Sequence, residues 1–204
     1  MTRRVVLASR SRHKVGELQE LLGLDDVVLV TPDEVGIDGE PVEDADSFEG
    51  NAEIKVRYYG ERSELPTLAD DSGLEVDALD GGPGVYTKRY AGPEATDEDN
   101  NAKLLHELAS VPVEGRGARY QCVLAFWDPR SGQEPVFRSG QFEGRIATER
   151  RGTGGFGYDP IFEPEGEPPG GRTVGQMTSD EKHALSHRGQ AARAMAEYLR
   201  GEDW

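Results

Sequence analysis

Cysteine is nearly missing from this 204-residue chain: Cys122 stands alone, which excludes an internal disulfide and a cysteine-based zinc cluster. An oxidising compartment is not called for, so the expectation is a cytoplasmic protein. Long apolar runs are missing too. None approaches the roughly 20 residues that span a bilayer, and Val5 to Ala8 is too short for the apolar core of a signal peptide. Positive charge is scarce: 23 Lys and Arg face 39 Asp and Glu, for a net charge of −16. Such a chain repels nucleic acids and anionic membranes at long range, so neither is expected as a partner. A phosphorylated ligand would have to be held by local cations, helix N-termini and a divalent metal. Repeats and a clear linker are also lacking, and residues 1–204 are read as one domain.

What is present alternates between strand and helix. Val5 to Ala8 and Val27 to Thr31 read as strands. Arg12 to Leu22 reads as an amphipathic helix on Val15, Leu18, Leu21 and Leu22. Further helices are expected from Phe48, Ala52, Val56 and Tyr59, from Asp97 to Ala109, and from Ser186 to Arg200, where Ala191, Ala194, Met195 and Tyr198 share a face. Tyr120 to Trp127 is a strong strand, and Pro135 to Ala147 carries one or two more. Asp70 to Gly73 reads as a turn between Thr67–Ala69 and Leu74–Leu79. Glu163 to Gly171 reads as a polar loop. The pattern implies an α/β fold with a mixed sheet.

Candidate chemistry falls in five places. Gly152 to Phe162 holds four glycines with Phe156, Tyr158 and Asp159. Its backbone can approach a ligand closely, its N–H groups suit an anion, and Phe156 and Tyr158 could stack on a planar ring. Gly157 lies between them. Ser9, Arg10, Ser11, Arg12, His13 and Lys14 fall between a strand and a helix, where phosphates are bound by backbone N–H groups and the helix dipole. Asp70 and Asp71 are neighbours in an apolar setting, and alternation along an extended chain points them different ways. One of them suits Mg²⁺, which keeps several waters and takes one or two carboxylates. Asn51 and Lys55 lie four apart on a helix that follows an acidic loop, and Lys55 is a second phosphate candidate. Lys182, His183, His187 and Arg188 form the densest basic cluster. Each place also has a plain structural reading: a loop with tucked aromatics, a polar cap, an Asx-turn, a surface lysine, a capped helix end.

Taken in order, these segments resemble the inosine triphosphatase family, hydrolases of deaminated purine nucleoside triphosphates. Ser9–Lys14 matches the family's (T/S)-x-N-x-x-K. Ser47–Lys55 matches T-F-x-x-N-A-x-x-K, and Ala69–Leu74 is A-D-D-S-G-L verbatim. Gly81–Tyr86, Arg89–Tyr90, Gly152–Phe162 and Ser186–Gly189 continue the match nearly end to end. The resemblance implies an elongated, twisted mixed sheet in two lobes flanked by helices, with a central cleft that Lys14, Asp71 and Phe156 face. It implies a homodimer and Mg²⁺-dependent hydrolysis of ITP, dITP and XTP to the monophosphate and pyrophosphate.

By the same resemblance, Ser9 to Lys14 bind the triphosphate, and Ser72 contacts phosphate or sugar. Glu43 and Asp71 hold the metal, and Asp71 also accepts the proton of the attacking water. Phe156 to Asp159, Lys182, His187 and Arg188 hold base and sugar. The donors of Arg188 and His187 suit the C6 carbonyl of hypoxanthine and xanthine. Two positions depart from the pattern: Ser11 replaces an asparagine, and Gly50 replaces the glutamate before Asn51. A related Maf-type nucleotide pyrophosphatase, and a sensor that binds nucleotide without cleaving it, are the alternative readings.

Overall fold

The apolar spacing of Val15, Leu18 and Leu22 becomes helix α1, Arg12–Leu22, with the bounds that periodicity implies. It starts where the Ser11 hydroxyl accepts the Lys14 N–H, and stops where Gly23 turns left-handed at φ 56°, a conformation that favours glycine. The computed structural model describes residues 2–178, 181–182, 186–201 and 204, with His13 described by its backbone only. The other helices are α2 (Phe48–Ser63), α3 (Asp97–Glu107) and α4 (His187–Gly201). On α4 the buried face is Ala191, Ala192, Met195, Ala196 and Leu199, with Ala194 and Tyr198 at its margin.

Six strands form one mixed sheet in the order β2-β1-β3-β4-β5-β6. They are β1 (Arg3–Leu7), β2 (Val27–Val30), β3 (Thr67–Val76), β4 (Gly117–Trp127), β5 (Val136–Ile146) and β6 (Phe162–Pro164). β1 lies parallel to β2 and β3, and β5 and β6 are antiparallel. Val5, Val6 and Leu7 are all buried, as expected of a parallel strand covered on both faces. The sequence reading is corrected at two points. Asp70-Asp71-Ser72-Gly73 is not a turn but the middle of β3: strand pairing overrides the local turn preference of these residues. The loop read from Glu163 begins instead as β6, where Glu163 is buried against Arg145 and Arg151, which compensates its charge.

The chain packs as two compact units. The first comprises Met1–Asp71, Cys122–Gly140 and Arg188–Trp204. Its main core joins Val5, Leu7, Leu18, Leu22, Leu68, Leu124 and Met195. The second comprises Ser72–Gln121 and Gln141–His187, with Leu74, Leu104, Leu108, Phe142, Ile146, Tyr158 and Phe162 at its centre. Burying each such leucine contributes about 1.5–3 kcal/mol. Strands β3, β4 and β5 each contribute residues to both units. Among the described residues no helix is long and apolar enough to cross a membrane.

Candidate active site

In the first unit, β3 sends Asp70 and Asp71 to different partners, as strand alternation requires. Asp70 is 3% exposed. Its carboxylate takes Lys14 Nζ at 3.1 Å and Arg188 at 3.4 Å. Burial opposes ionisation, but Lys14, Arg188 and Lys55 outweigh it and hold Asp70 well below the usual carboxylate range. Asp71 faces Lys55, whose Nζ lies 2.8 Å from Asp71 Oδ1 and 2.8 Å from Glu43 Oε2. Burial pushes the Asp71 carboxyl up, and the pull of Lys55 does not cancel it; Glu43 and Asp70 push the same way. The two neighbouring acids are therefore tuned in opposite directions: Asp70 is a fixed anion, and Asp71 is a better proton acceptor than an ordinary aspartate. Lys55 itself stays charged. Burial disfavours its ammonium, but Asp71, Asp70 and Glu43 together raise its pKa.

Glu43 and Asp71 converge on one cationic centre, the Lys55 ammonium, and both offer hard oxygen donors. That is a fitting pair for Mg²⁺, which needs only one or two carboxylates when substrate phosphates and waters complete its shell. Among the described residues no group of three or more His, Cys, Asp or Glu could hold a metal without such help.

The remaining first-unit candidates fill unlike roles. Ser9 Oγ accepts the Ser11 N–H, and Ser11 caps α1. Serine caps a helix about as well as asparagine, so the first departure from the family pattern keeps the cap. Arg12, the first residue of α1, is exposed, and Lys14 is half-buried. Arg10 is committed elsewhere: it pairs with Asp33 and Glu40 and donates to the carbonyls of Ile37 and Gly39. The side chain of His13 lies outside the described residues, as does His183. Arg188 is buried, with Glu17 at 3.3 Å and Asp70 at 3.4 Å.

The second departure, Gly50, has a local cause. It is the third residue of α2, where a glutamate would complete a capping box with Ser47. Here a Cβ at Gly50 would lie 2.7 Å from the Ala45 Cβ and 3.1 Å from Ser47 Oγ. Ala45 is held close because its N–H donates to Asn51 Oδ1 at 3.0 Å. Helix propensity favours Gly50→Ala by about 1 kcal/mol, but overpacking costs about 1–3 kcal/mol. A net loss of about 1 kcal/mol is expected by chemical denaturation. Because Ala45 follows Glu43 by two residues, Gly50→Glu is expected to raise the Mg²⁺ concentration needed for half-maximal activity rather than lower it.

In the second unit, the Gly152–Phe162 loop is tightly folded. Gly152, Gly155 and Gly157 have φ of 79°, 75° and 61°, and a Cβ at Gly155 would collide with the Asp159 carboxylate. The loop's two aromatics part company. Phe156 is 57% exposed, whereas Tyr158 is 2% exposed and donates its hydroxyl to the Thr87 carbonyl at 2.9 Å. Tyr158 therefore cannot stack on a base; it is the loop's anchor in the core. Asp159 is buried, accepts the Phe156 N–H at 2.8 Å and pairs with Lys182 at 2.5 Å. The Lys182 ammonium lies 3.9 Å from the centroid of the Phe156 ring. Tyr120 stacks on His187 with centroids 5.1 Å apart. Its hydroxyl meets Asp159 Oδ1 at 3.5 Å. Ser72, half-buried, is the first residue of this unit.

Glu17 and Tyr120 were missed by sequence reasoning. Glu17 carries only the signal of an acid three residues after Lys14 on α1, and Tyr120 only that of an aromatic in a strand.

A protein of Methylococcus capsulatus (strain Bath) called dITP/XTP pyrophosphatase is 46% identical over 200 residues, covering 98% of each chain. One of the same name from Yersinia pseudotuberculosis is 44% identical over 197 residues, 97% of this chain and 98% of that one. The solved structure of a HAM1 protein from Coxiella burnetii matches with a TM-score of 0.90 at 38% identity, over 98% of this chain and 100% of the other. The profile of the Ham1 family matches residues 5–198, and the chain is a member of that family.

Proposed function

We propose that this protein hydrolyses deaminated purine nucleoside triphosphates, ITP, dITP and XTP, to the monophosphate and pyrophosphate. The convergence of Glu43 and Asp71 on Lys55, beside an Asp70 that pairs with Lys14 and Arg188, carries the reading. Asp70 stays ionised and fixes Lys14 and Arg188; Asp71, raised by burial, is suited to take a proton from an attacking water. Lys14 and Lys55 supply positive charge for the triphosphate, helped by the N-terminus of α1. Glu43 and Asp71 would hold Mg²⁺, which when bound neutralises charge on the phosphate oxygens. Phe156, the exposed aromatic of its loop, supplies a stacking face worth about 1–3 kcal/mol with any purine. Lys182, His187 and Arg188 are assigned to base and sugar.

The relatives named dITP/XTP pyrophosphatase support this substrate class. The test is product analysis with ITP, XTP, GTP and ATP in the presence of Mg²⁺. Pyrophosphate from ITP and XTP, with little turnover of ATP, is the expected result. Orthophosphate as the product, or full activity in excess EDTA, rejects the mechanism. Binding without turnover in a single-turnover assay would make the protein a sensor. A preference for nucleotides other than deaminated purines would favour a Maf-type activity.

A further inference from the structure

The Phe156 platform is not held by its own loop alone. Both polar groups of the next residue are gripped by the start of α3. The Gly157 N–H donates to Asp97 Oδ2 at 2.7 Å, and the Gly157 carbonyl accepts from Asn101 Nδ2 at 2.7 Å. Asp97 and Asn101 are four apart on α3 and so lie on one face of the helix. Gly157 has φ 61°, a left-handed conformation that no ordinary residue holds without strain. It sits between the exposed ring of Phe156 and the buried anchor Tyr158. The α3 grip therefore sets the direction in which the chain presents Phe156.

Asn101 is an unusual choice for stability alone. It is 1% exposed. Its amide nitrogen serves Gly157 and the Asp97 carbonyl, yet its Oδ1 has no hydrogen-bond partner among the described residues. An unpaired buried acceptor is costly, and an exception of this kind in a folded protein calls for an explanation. Asp97 adds little to the cap of α3, because Thr96 and Asp99 already form a reciprocal capping box there. Neither residue belongs to the segments that resemble the family's motifs.

We infer that Asp97 and Asn101 are positioning residues for nucleoside recognition: they hold the Gly157 peptide so that Phe156 presents its face to the purine. The inference rests on the proposed function, and specifically on Phe156 as the stacking residue. Both residues belong to the second unit, whereas Lys14, Lys55 and Asp71, assigned to the phosphates and their hydrolysis, belong to the first, so their loss is expected in KM rather than kcat. Asp97→Ala removes one hydrogen bond from an exposed position and leaves the cap intact. It is expected to raise KM for ITP about three- to tenfold, the range that one such bond commands, with kcat within about twofold of wild type. Asp97→Asn keeps an acceptor oxygen and is expected to restore KM. Asn101→Ala is expected to act like Asp97→Ala.

The deciding measurement is a double-mutant cycle with Phe156→Ala. If α3 acts through Phe156, Asp97→Ala adds nothing once Phe156 is gone. Should the two effects simply multiply, or should kcat fall while KM stays put, the inference is overturned. Asp97 lies on the surface, so this arm stands even if Asn101→Ala does not fold. Wild-type protein that releases no pyrophosphate from ITP would reject the functional reading and this inference with it. An active wild type with an additive cycle rejects the inference alone.

Discussion

Asp71→Asn is expected to lower kcat for ITP at least about a hundredfold while leaving the fold intact. The substitution keeps the size of the side chain but removes a proton acceptor, and general-base contributions alone are roughly a hundred- to ten-thousand-fold. It also removes one of the two carboxylates that converge on the Lys55 ammonium. The fold should tolerate it, because Asp71 is half-buried and lies outside the apolar cores. Asp70→Asn has a different expected signature. That residue is buried with Lys14 and Arg188, and breaking a buried pair costs about 3–5 kcal/mol, so the thermal midpoint should fall along with activity. A near-normal rate for Asp71→Asn together with a stable but inactive Asp70→Asn would exchange the two roles. Steady-state kinetics and a thermal melt on both variants separate these outcomes.

Arg188→Ala is expected to act on stability and on base choice, and the two are measured separately. Its side chain is 8% exposed and its guanidinium lies against Glu17 and Asp70. Burial opposes its charge, but the Asp70 and Glu17 carboxylates more than offset this and hold it firmly protonated. Removing it leaves two carboxylates short of a partner, and about 3–5 kcal/mol of stability should be lost. As to base choice, a guanidinium only donates hydrogen bonds. It can serve the C6 carbonyl of hypoxanthine but not the C6 amino group of adenine. Polar sites of this kind discriminate by as much as about 10⁴, so the ratio of kcat/KM for ITP over ATP should collapse toward unity. Phe156→Ala provides the contrast, since stacking is blind to base identity and should weaken every purine alike. Equal slowing of ITP and ATP by Arg188→Ala would leave Arg188 with its ion pairs as its only role.

The parts of the fold legible in sequence were those that short-range periodicity decides. Val15, Leu18 and Leu22 mark α1 because a helix must bury that spacing, and Ser11 and Gly23 mark its ends. The mixed α/β sheet follows from the alternation of such segments with apolar runs, and the Ham1 family match upholds the motif resemblance. Hidden from sequence were the outcomes that depend on distant partners. Asp70 to Gly73 has the composition of a turn, and only strand pairing makes it the middle of β3. Phe156 and Tyr158 look alike in a glycine-rich loop. What draws Tyr158 inward is the Thr87 carbonyl, 71 residues away in sequence. Arg10, in the middle of a motif, is claimed by the loop of Asp33 to Glu40. The pairing of Glu43 with Asp71 came from the resemblance; the geometry adds that one lysine bridges them.

That bridging has a kinetic consequence. Lys14, Lys55 and Arg188 are paired with the carboxylates of Glu17, Glu43, Asp70 and Asp71, so they do not project a positive field into solvent. A polyanionic nucleotide approaching from afar meets instead the repulsion of a chain with net charge −16. Where a site attracts its substrate, the field speeds diffusional encounter, and added salt slows it. Here salt should do the opposite at first. Raising ionic strength from about 0.01 M toward 0.1 M shortens the Debye length from about 30 Å to about 10 Å. That shields the substrate from the acidic surface but leaves buried contacts nearly untouched. With free Mg²⁺ held constant, kcat/KM should climb across that range before levelling off.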